Sequence, residues 1–148
     1  MRPIVFLTDF GTADAFVGTC HAVLQRLSPG VTVIDLAHGI APQQVLQGAV
    51  ALYDAAPYLP ADAIVLAVVD PGVGSARRAI CVRGADRRFY IGPDNGLLLL
   101  AAEREGPLVE ARELADPRYR LDPVSATFHG RDIFAPAAAH LAAGVPFS

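Results

Sequence analysis

The segment AIVLAVVD, from Ala63 to Asp70, constrains the fold more than any other: an unbroken apolar, β-branched run that ends on a carboxylate. A strand exposed on one face alternates apolar and polar residues, whereas a strand covered on both faces reads as a continuous hydrophobic run. Helices are therefore needed on both sides of this strand. Asp70 is then delivered to its carboxyl edge, where open α/β sheets bind their ligands.

Flanking segments supply the other layers. Ile4 to Leu7 reads as a short buried strand, and Phe16, Val17, Cys20, Val23, Leu24 and Leu27 recur at helical spacing, with Asp14 placed to cap them and Pro29-Gly30 to stop them. Val31 to Asp35 is a second strand. Pro42 opens a helix whose Val45, Leu46, Ala49, Val50 and Tyr53 form one apolar stripe, ended near Pro57. AICVR and FYIG, joined by the polar turn GADRR, predict a hairpin. NGLLLLAAERE predicts a short helix, Leu108 to Ala111 a further strand, and Asp116 to Val124 a loop. Asp132 is placed to cap a last helix that runs to Gly144 and tolerates Pro136 in its first turn. This order predicts an α/β fold, a mostly parallel sheet with a mixed edge and helices on both faces, in a Rossmann-like three-layer sandwich.

At 148 residues and 53% hydrophobic content, the chain can bury one well-covered core and is too short for two. A single domain over residues 1–148 is expected. The net charge of −3 comes without any block of like charge, which argues against a nucleic-acid groove or a polybasic membrane patch. Cys20 and Cys81, the two cysteines, each sit in an apolar segment and read as buried thiols in a reducing compartment. The N-terminal apolar stretch is too short for a signal peptide, and no run has the length to span a bilayer, so a cytoplasmic setting is expected.

Polar groups gather where the predicted strands end. Asp9 directly follows the first strand, and Gly11 lets the backbone turn close to a ligand. A carboxylate there can accept both hydroxyl hydrogens of a ribose diol; an Asx-turn or a helix cap by Asp9 or Asp14 accounts for the same residues. In DPGVGSARR the glycines free main-chain N–H groups, but the spacing is not the phosphate-binding GxxxxGK[ST] pattern. The plainer account is a tight loop with Arg77 and Arg78 on its rim. Pro93, Asp94, Asn95 and Gly96 make a strong turn signal, with Asn95 also able to point into a site. His129 precedes a helix start beside Gly130, Arg131 and Asp132, a setting that favours an anion or a polarised water. His38 can face the same cleft, whereas His21 and His140 fall in helical segments as packing residues. Asp70, Arg77 and His129 offer an acid, a guanidinium and an imidazole, a set for moving a proton. Asp9, Asp70, His38 and His129 form a competing metal set, but no HxH, HExxH or CxxC spacing supports it.

Through the strings LTDFGTADAFVG, VIDLAHGIAP, VVDPGVGSARR, GPDNGLL and TFHGRDIFAPAAAHLA, the chain closely resembles the SAM hydroxide adenosyltransferases, the S-adenosylmethionine hydrolases related to the fluorinase and chlorinase. The strings are long, in order and spread over nearly the whole chain. The resemblance implies that Asp70, Arg77 and His129 are the catalytic set and that Asp9 grips the ribose hydroxyls. It also implies that Asp14 lies near the methionine part, with Asn95 and Gly130 among the substrate-binding residues. The related halogenases carry tyrosine in place of Asp70 and serine in place of Gly130, which favours water over halide. No metal or other cofactor is implied, and neither nucleic acid nor membrane is an expected partner. A homotrimer is implied for the full-length protein, with the site closed by a neighbour's second, smaller β-rich domain, which is not expected within residues 1–148.

The reaction implied is hydrolysis of S-adenosyl-L-methionine to adenosine and L-methionine, by water attacking the ribose 5′ carbon. A non-catalytic nucleoside-binding or oligomerisation module is the alternative. Halide-dependent adenosyl transfer is the third reading.

Overall fold

The computed structural model describes residues 1–147. In chain order its elements are β1 (Ile4–Thr8), α1 (Phe16–Leu27), β2 (Val33–Ala37), α2 (Val45–Ala55), β3 (Ile64–Val68), β4 (Ala79–Arg83), β5 (Phe89–Pro93), α3 (Leu99–Ala102), β6 (Glu110–Glu113) and α4 (Ala135–Ala142). One sheet holds the strands in the order β2-β1-β3-β5-β4-β6. β2, β1, β3 and β5 run parallel, and β4 runs against both β5 and β6. The second strand of the hairpin, β5, is the one that docks beside β3, so the antiparallel strand lies one place further out.

Strand alternation sorts the core into two halves. Ile4, Phe6, Ile64 and Leu66 pack with Cys20 and Leu24 of α1 and Ala138 of α4. Val5, Leu7, Val65 and Ala67 pack with Leu52 of α2 and Ala101 of α3. Every residue of β3 is buried, as its unbroken apolar sequence predicts. Each large side chain so covered stabilises the fold by about 1.5–3 kcal/mol, more than a helix cap contributes. The three-layer α/β architecture is the one expected.

Several sequence expectations are corrected. α2 begins at Val45 rather than Pro42, because Gln43 turns out of helical geometry at φ 64°. Its buried side is Gly48, Ala49 and Leu52, while Leu46, Val50 and Tyr53 of the expected stripe are exposed. Gly48 is the reason: a Cβ there would lie 2.8 Å from Leu97 and 3.3 Å from Val69, so the glycine face is the one that can lie against the sheet. The last helical segment is not capped by Asp132. It starts with a wide π-type turn over Gly130–Phe134, whose first carbonyl accepts from the Ala135 N–H. Pro136 has no N–H to offer the Asp132 carbonyl, and that carbonyl instead accepts from Leu121 at 2.9 Å. β2 and β6 each begin two residues later than their sequences suggest.

Candidate active site

The four parallel strands end at one edge of the sheet, and the chemistry-bearing residues follow those ends. Asp9 comes directly after β1, His38 directly after β2, Asp70 two residues after β3 and Asn95 two residues after β5. The loop from Asp70 to Arg77 stays at this edge because β4 runs the other way. His129 arrives from the opposite end of the chain, immediately before the π-type turn. Asp9, Phe10, Asp70, Phe128, His129 and Gly130 line one cleft. A more apolar cavity lies elsewhere, between β4 and α4, over Cys81, Ile91 and Leu141.

Arg77 joins the acid to the imidazole. Its Nε donates to Asp70 Oδ1 at 2.9 Å, its Nη2 donates to Asp70 Oδ2, and the same Nη2 donates to His129 Nδ1 at 2.8 Å. Both partners of the ion pair are largely buried, with the Asp70 side chain 6% and the Arg77 side chain 12% exposed. The guanidinium also stands over the Phe134 ring, 5.3 Å from its centroid. A guanidinium can only donate, so Nδ1 accepts and the neutral ring carries its hydrogen on Nε2. Burial holds the His129 pKa below the ordinary imidazole value, and the positive charge of Arg77 adds to it, against the opposing pull of the Ser125 backbone and the Asp70 charge. His129 is thus set up as a neutral imidazole near pH 7.

Asp9 Oδ2 accepts from the Gln43 N–H at 2.7 Å. Its backbone grip, and the positive φ of Gln43 that allows it, gave no signal in the sequence. Gly130 faces the cleft, and a Cβ there would meet the Phe10 ring at 3.0 Å. Phe10, Phe16 and Phe128 form an edge-to-face triangle with centroid separations of 5.1–6.3 Å, an aromatic wall that sequence reading missed because its members lie in separate segments. Asp14 stands apart: it is exposed, and its Oδ1 accepts from Phe16 N at 3.2 Å at the start of α1. Asn95 turns toward the backbone, where Nδ2 donates to the Val69 carbonyl at 2.9 Å and Oδ1 accepts from Leu97 N. It fastens the end of β3 just before Asp70. His38 and His21 both reach Asp35, so the first faces away from the cleft and the second does more than pack. Among the described residues, no group of three or more His, Cys, Asp or Glu is arranged to hold a metal ion.

Fold and site together define a three-layer α/β domain that presents ionisable side chains at the carboxyl edge of the parallel strands of a mixed sheet. Residues 4–148 match the family described as the SAM hydroxide adenosyltransferase N-terminal domain. The chain belongs to that family. It is 53% identical to the (R)-S-adenosyl-L-methionine hydrolase of Thermus thermophilus, over 99% of this chain and 59% of that protein. It is 55% identical to the hydrolase of the same name from Salinispora tropica, over 98% of this chain and 55% of that one. A protein named fluorinase from Actinoplanes sp. is more distant, 30% identical over 98% of this chain and 56% of its own. A crystal structure of an uncharacterized conserved protein from Thermotoga maritima superposes with a TM-score of 0.93 at 41% identity, covering 97% of this chain and 55% of that one. The chain thus spans between half and two thirds of the length of these relatives.

Proposed function

We propose that this chain is the nucleoside-holding, water-activating part of an S-adenosyl-L-methionine hydrolase. The observation that carries the proposal is the hydrogen-bonded line Asp70–Arg77–His129, with Asp70 and His129 on the same cleft as Asp9. The names of the relatives at 53–55% identity support hydrolysis over the fluorinase activity named for a relative at 30%.

The substrate carries a sulfonium on the ribose 5′ carbon, so methionine leaves as a neutral thioether and no acid is needed for the departing group. Water, with a pKa of about 15.7, needs help as a nucleophile. Each Asp70 oxygen accepts one bond from Arg77 and keeps a second lone pair for a water hydrogen. His129, on the same cleft, stands as a hydrogen-bond partner for that water. The water oxygen bonds to C5′ as the C5′–S bond breaks with its electron pair on sulfur, and the proton passes to Asp70 and then to solvent. Charge balances: a cationic sulfonium and water give neutral adenosine, zwitterionic methionine and one proton. Arg77 acts through the two groups it holds, fixing their separation and the His129 tautomer. Alignment of water and carbon in a dry cleft supplies most of the rate. Displacement of so good a leaving group calls for no metal and no cofactor.

The same reading takes Asp9 as the carboxylate for the ribose diol, Asp14 as a contact near the methionine part, and Asn95 and Gly130 as supports of the substrate pocket. It takes the working form as a cytoplasmic homotrimer whose other domain closes the cleft. Leu46, Val50 and Leu100, exposed on neighbouring α2 and α3, support burial against another copy. No helix among the described residues is long and apolar enough to cross a membrane. Because the chain spans 55–59% of its relatives, a nucleoside-binding module without turnover is the second reading. Titration with adenosine and with S-adenosylmethionine, followed by chromatography of products, separates them. Adenosine release, unaffected by chloride or fluoride, is the expected result; binding without products selects the module, and halide-dependent products select adenosyl transfer.

A further inference from the structure

We propose that the hydrogen-bonded line Asp35–His38–Thr8, buried at His38 and Thr8, is a positioning device for the loop carrying Asp9 and Phe10, and sets how tightly the cleft holds a ribose. The inference rests on the nucleoside-binding reading above and names residues that lie behind the cleft rather than in it.

Thr8 is the last residue of β1 and is fully buried. Its Oγ1 lies 2.8 Å from His38 Nδ1 and accepts from the Phe10 N–H at 3.1 Å. His38 is 8% exposed, and its Nε2 lies 2.7 Å from Asp35 Oδ1. His21, on α1, reaches both Asp35 oxygens at 2.9 and 3.1 Å. Burial pushes the Asp35 carboxyl up, but the hydrogen bonds from His38 and His21 outweigh it and hold the pKa below the usual value. Asp35 is therefore ionised and can only accept. His38 Nε2 therefore donates to it, and the Thr8 hydroxyl, hydrogen-bonded to Nδ1, accepts from the Phe10 N–H as well.

The line ends on the loop that forms the cleft wall. The carbonyl of His38 accepts from Gly11 N at 2.8 Å, so ring and backbone of one residue hold both ends of the Thr8–Gly11 turn. Gln43, at the far end of the same β2–α2 connection, holds Asp9 Oδ2. Three bonds thus stitch two strand-end loops into one surface, and Asp9 is left with Oδ1 and a second lone pair on Oδ2 for a ribose diol. An apolar side chain at position 38 would pack against the Phe6 ring, 4.9 Å away, and would serve the fold as well. A buried polar network gains little stability over an apolar core of the same volume. What it provides is one geometry rather than several.

The test uses Thr8→Val, which keeps the shape and removes the hydroxyl, against Thr8→Ser, which restores it. Adenosine affinity is read by calorimetry, KM and kcat by adenosine release, and folding by the melting temperature. Thr8→Val is expected to weaken adenosine binding and raise KM roughly tenfold, with kcat within about twofold of the parent, and Thr8→Ser to return both. A purely structural role would lower the melting temperature and the active fraction while leaving KM alone. Asp35→Ala, at a half-exposed side chain, is the second variant and keeps the test open if Thr8→Val fails to fold; it is expected to weaken adenosine binding at least threefold. Parent-like adenosine affinity in a folded Thr8→Val or Asp35→Ala, or a Thr8→Ser no better than Thr8→Val, overturns the positioning role alone. A parent chain that neither binds adenosine nor releases it overturns the proposed function as well.

Discussion

Arg77 occupies a position where lysine cannot substitute. One guanidinium bonds both oxygens of Asp70 and the imidazole of His129, and a lysine ammonium has neither the planar fork nor the reach to hold all three. On the proposed mechanism, Asp70→Asn should lower turnover by roughly two orders of magnitude or more with little change in KM, since the loss would fall on the proposed proton transfer; steady-state adenosine release checks it. The pH dependence follows from His129. Its pKa is held below the ordinary imidazole value of 6.5, so the ring stays neutral on acidification until that lower value is reached. The acid limb of kcat/KM is therefore expected below pH 6.5, and should vanish in His129→Gln, whatever activity that variant retains. At this scale Asp70, Arg77 and His129 were legible because each ends or precedes a recognisable element and matches a family string. Thr8, Asp35 and Gln43 were not, because their importance lies in what they touch.

Loops, rather than strands or helices, bring the three residues into contact. Gly74, at φ +76°, lies so close to the segment before His129 that a Cβ would sit 2.3 Å from the Ala126 carbonyl oxygen. Backbone cannot give way as a side-chain tip can. Gly74→Ala is expected to cost about 1–3 kcal/mol of stability and to separate Arg77 from His129, lowering kcat well beyond what the stability loss explains. Denaturant unfolding alongside turnover measures both. Element type was readable from periodicity and from the β-branched run of β3. The face of α2 was not, because five apolar residues on one stripe predicted burial where a single glycine decided which side could approach the sheet. The cap at Asp132 failed for a related reason: Pro136 was legible, but the Leu121 N–H that takes the Asp132 carbonyl comes from a separate segment, outside any local pattern.

For the molecule as a whole, acid stability tests the hydrogen-bonded carboxylates. Asp35 and Asp132 are both held below the ordinary carboxyl value of 3.8: burial pushes each up, but hydrogen bonds outweigh it, from His38 and His21 for Asp35 and from Arg131 and Ser125 for Asp132. A carboxyl with a depressed folded-state pKa contributes stability that is complete above its unfolded value and is lost as pH falls through the folded one. His129, also depressed, adds a loss that begins below pH 6.5. The melting temperature should therefore decline gently from about pH 6.5 and steeply below about pH 4, and Asp132→Asn should be less stable at neutral pH with a shallower acid slope. A thermal melt series checks both slopes. The sequence by itself determined the layering, since a strand with no polar face must be covered twice, and it determined which residues stand at the strand ends. Tertiary structure alone decided which of those ends meet. The separation of Asp70 from His129, the direction of His38 and the grip of Gln43 on Asp9 depend on contacts between segments dozens of residues apart, and hydrogen bonds act across space without leaving a periodicity along the chain.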